Sequence, residues 1–303
     1  MINAFRRLPR DLPGSPDIRI VGPRSSGKTT FMAALARWPN AKPDSPIQSV
    51  DPFDDETGRL IAMAQDILEN GMAMAPNRHA EDANELPLYT VLVQLKPAFL
   101  TNPMLRLSRG NIRFQVSCRE YSGELIKDLR GSGTSEIALS NYLDDCADAS
   151  GLLLLLDGTA KEDRLYAQAF AKLQAELNWR LTGNNRDLRS YRIAVVFSKA
   201  EQAKVWIHRY NVQKFVNLNF RQTQETLQKW SRDWGCPVNY FLCSAFGMKG
   251  KPPTPNVHVE TRDREGTFGV IDKPQVWRPF GLVAPIYWLH TGQDDQRLRK
   301  IEE

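Results

Sequence analysis

The sequence has few of the residues that build metal clusters or disulfide frameworks. Its 303 residues include only 4 cysteines and 4 histidines, and no two cysteines form a C-x-x-C pair. The cysteines are Cys118, Cys146, Cys236 and Cys243. Their scatter excludes the usual zinc spacings and favours reduced thiols in a cytosolic protein.

Long apolar runs are also missing. No run approaches the roughly 20 residues of a membrane-spanning helix, and the N-terminus lacks the apolar core of a signal peptide. We therefore predict a cytoplasmic protein with no membrane span.

A strong charge of one sign is the third absence. The formal net charge is only +5, and the basic residues are scattered rather than grouped in blocks, so charge does not favour a nucleic-acid partner. With 42% hydrophobic and 25% charged residues, the chain has the composition and length of a globular protein with a sizeable core.

The clearest positive signal runs from Gly22 to Thr30. This stretch reads GPRSSGKTT and fits G-x-x-x-x-G-K-[ST], between a strand-like run at 18–21 and a helix-like run at 29–38. Such a loop turns backbone N–H groups onto phosphate oxygens at the positive end of a helix. Lys28 would reach the terminal phosphates, and the Thr29 hydroxyl would hold Mg²⁺. The predicted nucleotide-binding residues of the loop are Gly22, Arg24, Ser25, Ser26, Gly27, Lys28, Thr29 and Thr30.

The remaining periodicity alternates strands with helices. Strands are predicted at 18–21, 88–95, 112–118, 151–157, 191–197 and 238–243, and helices at 29–38, 56–70, 135–146, 161–181, 201–234 and 280–290. This order predicts an α/β protein with a mostly parallel sheet and helices on both faces. Ligands of such sheets lie beyond the carboxyl ends of the strands.

The domain organisation follows from the same pattern. Residues 17–291 are predicted to form one domain with insertions at about 39–86 and 248–276, in which 39–56, 71–86 and 248–276 are predicted to be irregular or loops. The basic, proline-containing residues 1–16 are predicted to be a flexible arm, and 292–303 a charged, solvated tail.

Two strand ends offer a carboxylate for the Mg²⁺ shell. The strand at 112–118 is followed by Glu120, then Gly123 and Glu124. This resembles the D-x-x-G switch of P-loop GTPases, with Glu120 as metal ligand and the Gly123 N–H directed to the γ-phosphate. Asp157 ends a continuous apolar strand and resembles a Walker B aspartate. Because Gly158 follows instead of a catalytic glutamate, we favour Glu120 and expect Asp157 to order its own loop.

Two further strand ends resemble a base-binding site. Ser198-Lys199-Ala200-Glu201 resembles the N/T-K-x-D guanine signature, in which a carboxylate accepts two N–H bonds from guanine and the lysine stem packs on the base. An alternative interpretation makes Ser198 and Glu201 a helix capping box. Ser244-Ala245 resembles the short motif that contacts the base through its backbone.

Four elements follow one another along the chain: the P-loop, the Glu120-x-x-Gly123 stretch, Ser198–Glu201 and Ser244-Ala245. In this order they resemble the Ras-like, TRAFAC-type superfamily of P-loop GTPases over about residues 17–246. The Glu-x-x-Gly-Glu stretch, the apolar strand ending in Asp157 and the segment from Pro279 to Leu289 further resemble bacterial double-GTPase families of multi-component systems. The resemblance implies a three-layer sandwich on a six-stranded sheet, with one antiparallel edge strand in the pair 88–95 and 112–118. It also implies Mg²⁺, GTP or GDP, and a switch acting on protein partners of a signalling or defence system.

Hydrolysis is less clearly encoded than binding. Thr57 and Thr90 are the candidates for a Mg²⁺-binding threonine of a first switch, and neither lies in a motif. Glu124 stands in the place of a water-positioning glutamine, with Lys28 and Gly123 as the other catalytic candidates. Its charge would repel the γ-phosphate, so we expect slow hydrolysis. Arg24 and Arg119 could supply charge, although solvated arginines are the simpler interpretation.

Two other functions stay open. An ATPase or kinase would use Asp157 as its Walker B carboxylate. A non-catalytic scaffold would bind nucleotide without hydrolysing it, and the glutamates at 120 and 201 favour that alternative.

Overall fold

The computed structural model describes most of the chain. The described residues are 17–41, 45–72, 88–97, 113–119, 125–129, 131, 136–184, 186–262 and 266–299. The predicted arm at 1–16 and the switch residues Glu120, Gly123 and Glu124 lie outside them.

Strands and helices alternate through most of this part, as predicted. The strands are β1 (Asp17–Val21), β2 (Ile47–Pro52), β3 (Leu88–Leu95), β4 (Arg113–Arg119), β5 (Gly151–Asp157), β6 (Arg192–Ser198), β7 (Val238–Leu242), β8 (Met248–Lys249), β9 (Thr254–Pro255), β10 (Val257–Arg262) and β11 (Gly266–Ile271). The α-helices are α1 (Lys28–Ala41), α2 (Asp55–Glu69), α3 (Leu125–Leu129), α4 (Glu136–Asp148), α5 (Asp163–Gly183), α6 (Ala203–Trp206), α7 (Val212–Asn219), α8 (Arg221–Trp234), α9 (Val283–Thr291) and α10 (Gln296–Arg299).

The main sheet has seven strands in the order β2-β3-β4-β1-β5-β6-β7. Strands β4, β1, β5, β6 and β7 are mutually parallel, and β3 runs antiparallel to both of its neighbours. The α/β class and the mostly parallel sheet are confirmed. The sheet has seven strands where six were expected, because β2 lies outside β3, and the antiparallel strand β3 is therefore not at the edge.

The strand β2 falls in a stretch predicted to be a loop. Residues 39–56 contain four prolines and little alternation, and β2 is only partly buried. Its strand conformation comes from pairing with β3, with Val50 opposite Val93 and Asp51 opposite Leu92. A strand conformation that depends on such pairing is only weakly indicated by the sequence of the strand itself.

The segment 248–276 is also more ordered than the predicted loop. It contains the short pair β8–β9 and the antiparallel hairpin β10–β11, in which Val257 pairs with Ile271. In the predicted charged tail, Gln296–Arg299 form α10.

Strand β5 explains why the core has two halves. Leu153 and Leu155 face one apolar cluster, built with α1, α2 and α9. Leu152, Leu154 and Leu156 face the other, built with α4, α5, α7 and α8. All five leucines are fully buried, and each contributes about 1.5–3 kcal/mol when removed from water. A strand buried on both faces needs an unbroken apolar run, which is why this element was clear in the sequence.

Candidate nucleotide site

The P-loop leaves β1 and enters α1, as its motif predicts. A Cβ on Gly22 would lie 2.2 Å from the Leu155 carbonyl oxygen and 2.9 Å from the Ser26 hydroxyl oxygen. Only glycine therefore lets the loop pass this close to β5. Gly27 has a φ of 90° and Ser25 a φ of 61°, so the backbone visits the left-handed region on both sides of Ser26.

Lys28 folds back over this loop. Its ammonium donates to the carbonyl oxygens of Gly22 and Pro23, each at 2.9 Å. Arg24 is exposed, whereas Thr29 and Thr30 are half-buried in the first turn of α1. The lysine is thus held at the loop that its motif would wrap around phosphate.

Ser198 joins the segment after β6 to the P-loop. Its hydroxyl lies 2.7 Å from the Ser26 carbonyl oxygen and 3.1 Å from that of Leu156, and it is the donor to both. The next helix begins only at Ala203, and its N-cap is Gln202. The capping-box interpretation of Ser198 and Glu201 is therefore wrong, because the Ser198 hydroxyl is used in a long-range contact.

Asp157 and Lys199 form an ion pair between the ends of β5 and β6. The other Asp157 carboxylate oxygen accepts from the Thr159 N–H at 2.8 Å and from its hydroxyl at 2.7 Å. This confirms that Asp157 orders its own loop. Lys199 adopts a φ of 57°, an uncommon conformation for a non-glycine residue.

Glu201 and Ser244 come together from two separate strand ends. The Ser244 side chain lies beside the Glu201 carboxyl group, and its hydroxyl accepts from the Gly247 N–H at 2.7 Å. Glu201 is only 2% exposed, and burial raises its pKa, partly offset by the Ser244 hydrogen bond. Among the residues that the structure describes, no donor reaches the second carboxyl oxygen, Oε2.

The threonines considered for a first switch have structural roles. The Thr57 hydroxyl accepts from the Thr90 N–H at 2.9 Å, and the Thr90 hydroxyl lies 3.0 Å from that of Ser117. All three residues are fully buried. In this structure their hydroxyls stabilise the contact of α2, β3 and β4.

Arg119 ends β4, directly before the predicted switch. Its Nε lies 3.6 Å from Asp145, which also accepts from Arg19 of β1 at 3.0 Å. Arg119 is therefore part of a buried charge cluster, which its sequence context did not reveal.

No metal cluster or bilayer-spanning helix occurs in the described ranges. They hold no group of three or more His, Cys, Asp or Glu side chains suited to a metal ion. None of their helices has both the length and the apolarity that crossing a bilayer requires.

Comparison with known proteins gives structural likeness only. No protein-family model matches the chain, and no curated protein matches its sequence. The signal recognition particle receptor SRb-GTP/SRX complex of Chaetomium thermophilum is 12% identical, with a TM-score of 0.41, over 78% of this chain and 93% of that chain. The GTP-bound GTPase-like domain of S. cerevisiae Ski7 is 14% identical, with a TM-score of 0.38, over 77% and 44%.

A bacterial selenocysteine-specific elongation factor is 12% identical, with a TM-score of 0.33, over 76% of this chain and 26% of that chain. The chain thus spans less than half the length of the last two proteins. At these scores the likeness carries no conclusion about function.

Proposed function

We propose that this chain binds GTP and GDP with Mg²⁺, hydrolyses GTP slowly, and acts as a switch on protein partners in a bacterial multi-component system. The observation that carries the nucleotide assignment is the carboxyl group of Glu201. It is almost fully buried, it lies beside Ser244, and no hydrogen-bond donor among the described residues reaches Oε2. A buried carboxyl oxygen without a partner is costly, and guanine N–H groups would satisfy it.

The phosphate side supports the same proposal. The P-loop passes close to β5 through Gly22 and places Lys28 and the N-terminus of α1 at one point. Helix N-termini and loops of inward-turned N–H groups bind phosphate. Ser198 connects this loop to the base side, so the two halves would enclose a single nucleotide.

Magnesium would be held by few protein atoms. Mg²⁺ bound with nucleotide commonly takes one or two protein oxygens beside phosphates and water. Thr29, in the first turn of α1, fits one of these positions, and Glu120 is proposed for another. The proposal assigns Gly123 and Glu124 to the γ-phosphate and to the attacking water.

Asp157 bears on the choice between GTPase and ATPase. Both of its carboxylate oxygens are engaged, one by Lys199 and the other by Thr159. A Walker B carboxylate has to face the metal, so these contacts favour Glu120 over Asp157. The non-catalytic scaffold remains the second candidate, since Glu120 and Glu201 depart from the usual aspartates.

The test is the affinity for GDP, GTP and ATP, each measured by calorimetry with and without Mg²⁺. We expect tight GDP and GTP binding, strengthened by Mg²⁺, and much weaker ATP binding. A preference for ATP would overturn the guanine assignment, and no binding of any nucleotide would overturn the site as a whole.

Slow hydrolysis needs its own measurement. We expect single-turnover GTP hydrolysis well below about 1 s⁻¹, because small GTPases alone turn over at roughly 10⁻⁴ to 10⁻² s⁻¹. Binding without hydrolysis, even with candidate partners present, would favour the scaffold.

A further inference from the structure

A tryptophan from the C-terminal part of the chain lies directly against Ser244–Gly247, here called the base loop, which begins with the predicted base-contacting pair Ser244-Ala245. Trp277 is fully buried, and its indole N–H donates to the Ala245 carbonyl oxygen at 2.8 Å. The guanidinium carbon of Arg37, on α1, lies 5.0 Å from the centre of the tryptophan ring. Trp277 therefore touches both the helix of the P-loop and the base loop.

The backbone beyond Trp277 follows the same loop. Ser244 and Phe280 exchange two backbone hydrogen bonds, each of 3.0 Å. A Cβ on Gly247 would lie 1.9 Å from the Arg278 carbonyl oxygen, and one on Gly281 would lie 2.0 Å from that of Leu242. Both glycines have a φ near 70°. The two segments thus approach more closely than side-chain-bearing residues would allow.

These contacts fix the orientation of two peptide groups. A peptide unit is planar, so the Phe280 N–H that binds the Ser244 carbonyl also orients the Ala245 N–H, the group expected to contact the base. Trp277 likewise holds the Ala245 carbonyl, while the Phe246 N–H on the same peptide donates to the Ser244 hydroxyl at 3.2 Å.

Asn256 anchors the other end of this unit. Its backbone N–H donates to the Gly247 carbonyl oxygen at 3.0 Å. Its side chain donates to the Lys273 carbonyl oxygen at 3.1 Å and accepts from the Lys273 N–H at 2.8 Å. The base of the β10–β11 hairpin is therefore tied to the base loop as well.

We propose that residues Trp277 to Gly281, here called the clamp, position the base loop and thereby set how slowly the nucleotide leaves and how well guanine is distinguished. Trp277 is a positioning residue in this proposal. It acts through Ala245 and Ser244, and Ser244 in turn lies beside Glu201. The inference rests on the proposed guanine-nucleotide function. It adds the clamp, which lies far along the chain from the P-loop, as an element that controls nucleotide release.

The physical reason is preorganisation. A loop already held in its binding conformation loses less conformational freedom when the ligand arrives. Changes of this kind act mainly on dissociation, while association varies little among variants of one site. Loosening the clamp should therefore speed nucleotide release and reduce the preference for guanine over other bases, without preventing phosphate binding.

The chain offers a matched pair of substitutions for the test. Trp277→Phe keeps a buried ring and removes the donor to Ala245. Trp230→Phe makes the same change at another fully buried tryptophan, whose indole N–H reaches no acceptor among the described residues. The two variants differ in the lost hydrogen bond and in distance from the base loop.

Release of mant-GDP is measured by stopped flow, together with the affinities for GDP and for IDP, which lacks the 2-amino group. For Trp277→Phe we expect release roughly three- to tenfold faster, from the usual net worth of one hydrogen bond, with association unchanged and a smaller GDP-to-IDP ratio. Trp230→Phe should match the wild type. Unchanged release in a folded Trp277→Phe variant, or equal acceleration in both variants, would overturn the proposal.

A second readout does not depend on nucleotide. Amide hydrogen exchange of residues 244–247 in the nucleotide-free protein should be faster in Trp277→Phe than in Trp230→Phe or the wild type. Equal exchange would reject the clamp. A wild type that binds no GDP would reject the proposed function instead, while the exchange experiment still decides whether the clamp orders the loop. Should Trp277→Phe not fold, Gly247→Ala replaces it, because the added Cβ collides with Arg278 and should loosen the same contact.

Discussion

The phosphate side and the base side of the candidate site are built in different ways. The phosphate side comes from one continuous stretch, Gly22 to Thr30, with its own strand and helix. The base side is assembled from three separate parts of the chain: Ser198 to Glu201, Ser244 to Gly247, and the clamp. The first depends on local backbone geometry and the second on long-range contacts.

This difference separates phosphate binding from selectivity for the base. Phosphates are common to all nucleoside triphosphates, so a contiguous loop that holds them says nothing about the base. Selectivity depends on where a carboxylate and a loop backbone meet, and here that meeting is fixed by buried hydrogen bonds between distant residues. Changes on the phosphate side should thus weaken all nucleotides alike, whereas changes on the base side should act on guanine nucleotides.

The largest effect is expected from Lys28→Ala. Losing a charge-assisted contact of about 1.5–3 kcal/mol corresponds to a roughly 10- to 150-fold weaker affinity, and the affinities for GDP and ADP should fall by the same factor. Thermal shift with each nucleotide measures this, with exposed Lys204→Ala as control. A shift as large as the wild type's would mean that the loop does not hold phosphate.

Gly22→Ala should disturb the phosphate side through packing. The new methyl group would overlap the Leu155 carbonyl oxygen, and overpacking of this kind costs about 1–3 kcal/mol of folding free energy. Urea unfolding measures the loss. Gly58→Ala, in α2, meets no atom within 4 Å and should be neutral or slightly stabilising. Equal stability of the two variants would contradict the close approach to β5.

Glu201→Gln should act on the base side. We expect roughly a tenfold weaker affinity for GDP, since the contact would be charge-assisted, and little change for ADP. Glu225→Gln, at an exposed helix position, is the control. Equal loss for both nucleotides would place Glu201 outside the base site.

The buried Glu201 carboxyl group also predicts a pH dependence of stability and of GDP affinity. Burial raises the Glu201 pKa above its usual 4.5, so its contribution to folding is present below 4.5 and is lost as the pH rises through the higher folded-state pKa. Guanine binding favours the ionised carboxylate, so GDP affinity should rise with pH over that window and level off above it. Calorimetry across the window measures this, and a slope that persists in Glu201→Gln would assign it to another group.

The smallest effect is expected from Ser198→Ala, which removes the link between the two sides. One buried hydrogen bond contributes about 0.5–1.5 kcal/mol, so nucleotide release should become a few-fold faster. Ser150→Ala removes a similar hydroxyl, which donates to the Asp17 carbonyl oxygen at 2.7 Å, at the opposite end of β1. If both variants release nucleotide at the wild-type rate, Ser198 has only a structural role.

Local patterns predicted the central elements well. The run of five leucines in β5 and the apolar periodicity of α2 are properties of consecutive residues, and both elements lie within a residue of their predicted bounds. The helix predicted over 201–234 is divided in the structure, and Asn211 accepts from the Lys214 N–H at 2.9 Å as the N-cap of α7. Strand β2 was missed because its conformation comes from its partner β3, and the partner cannot be read from residues 47–52.

The same reason limited the prediction of the site. The alternative interpretation of Ser198 and Glu201 as a capping box relied on Ser and Glu three residues apart acting locally. The structure instead directs the hydroxyl to Ser26, far along the chain. Trp277 carried no signal at all, since a buried tryptophan is typical of any core.

By itself the sequence determined the P-loop motif between its strand and helix, the two-sided core strand and the alternation of strands and helices, because these depend on backbone conformation and burial within short stretches. The tertiary structure alone decided that Glu201 meets Ser244, that Ser198 holds the P-loop, and that Trp277 holds the base loop. Those contacts join residues far apart in the chain, and only the packing of the sheet and its helices brings such residues within hydrogen-bond distance.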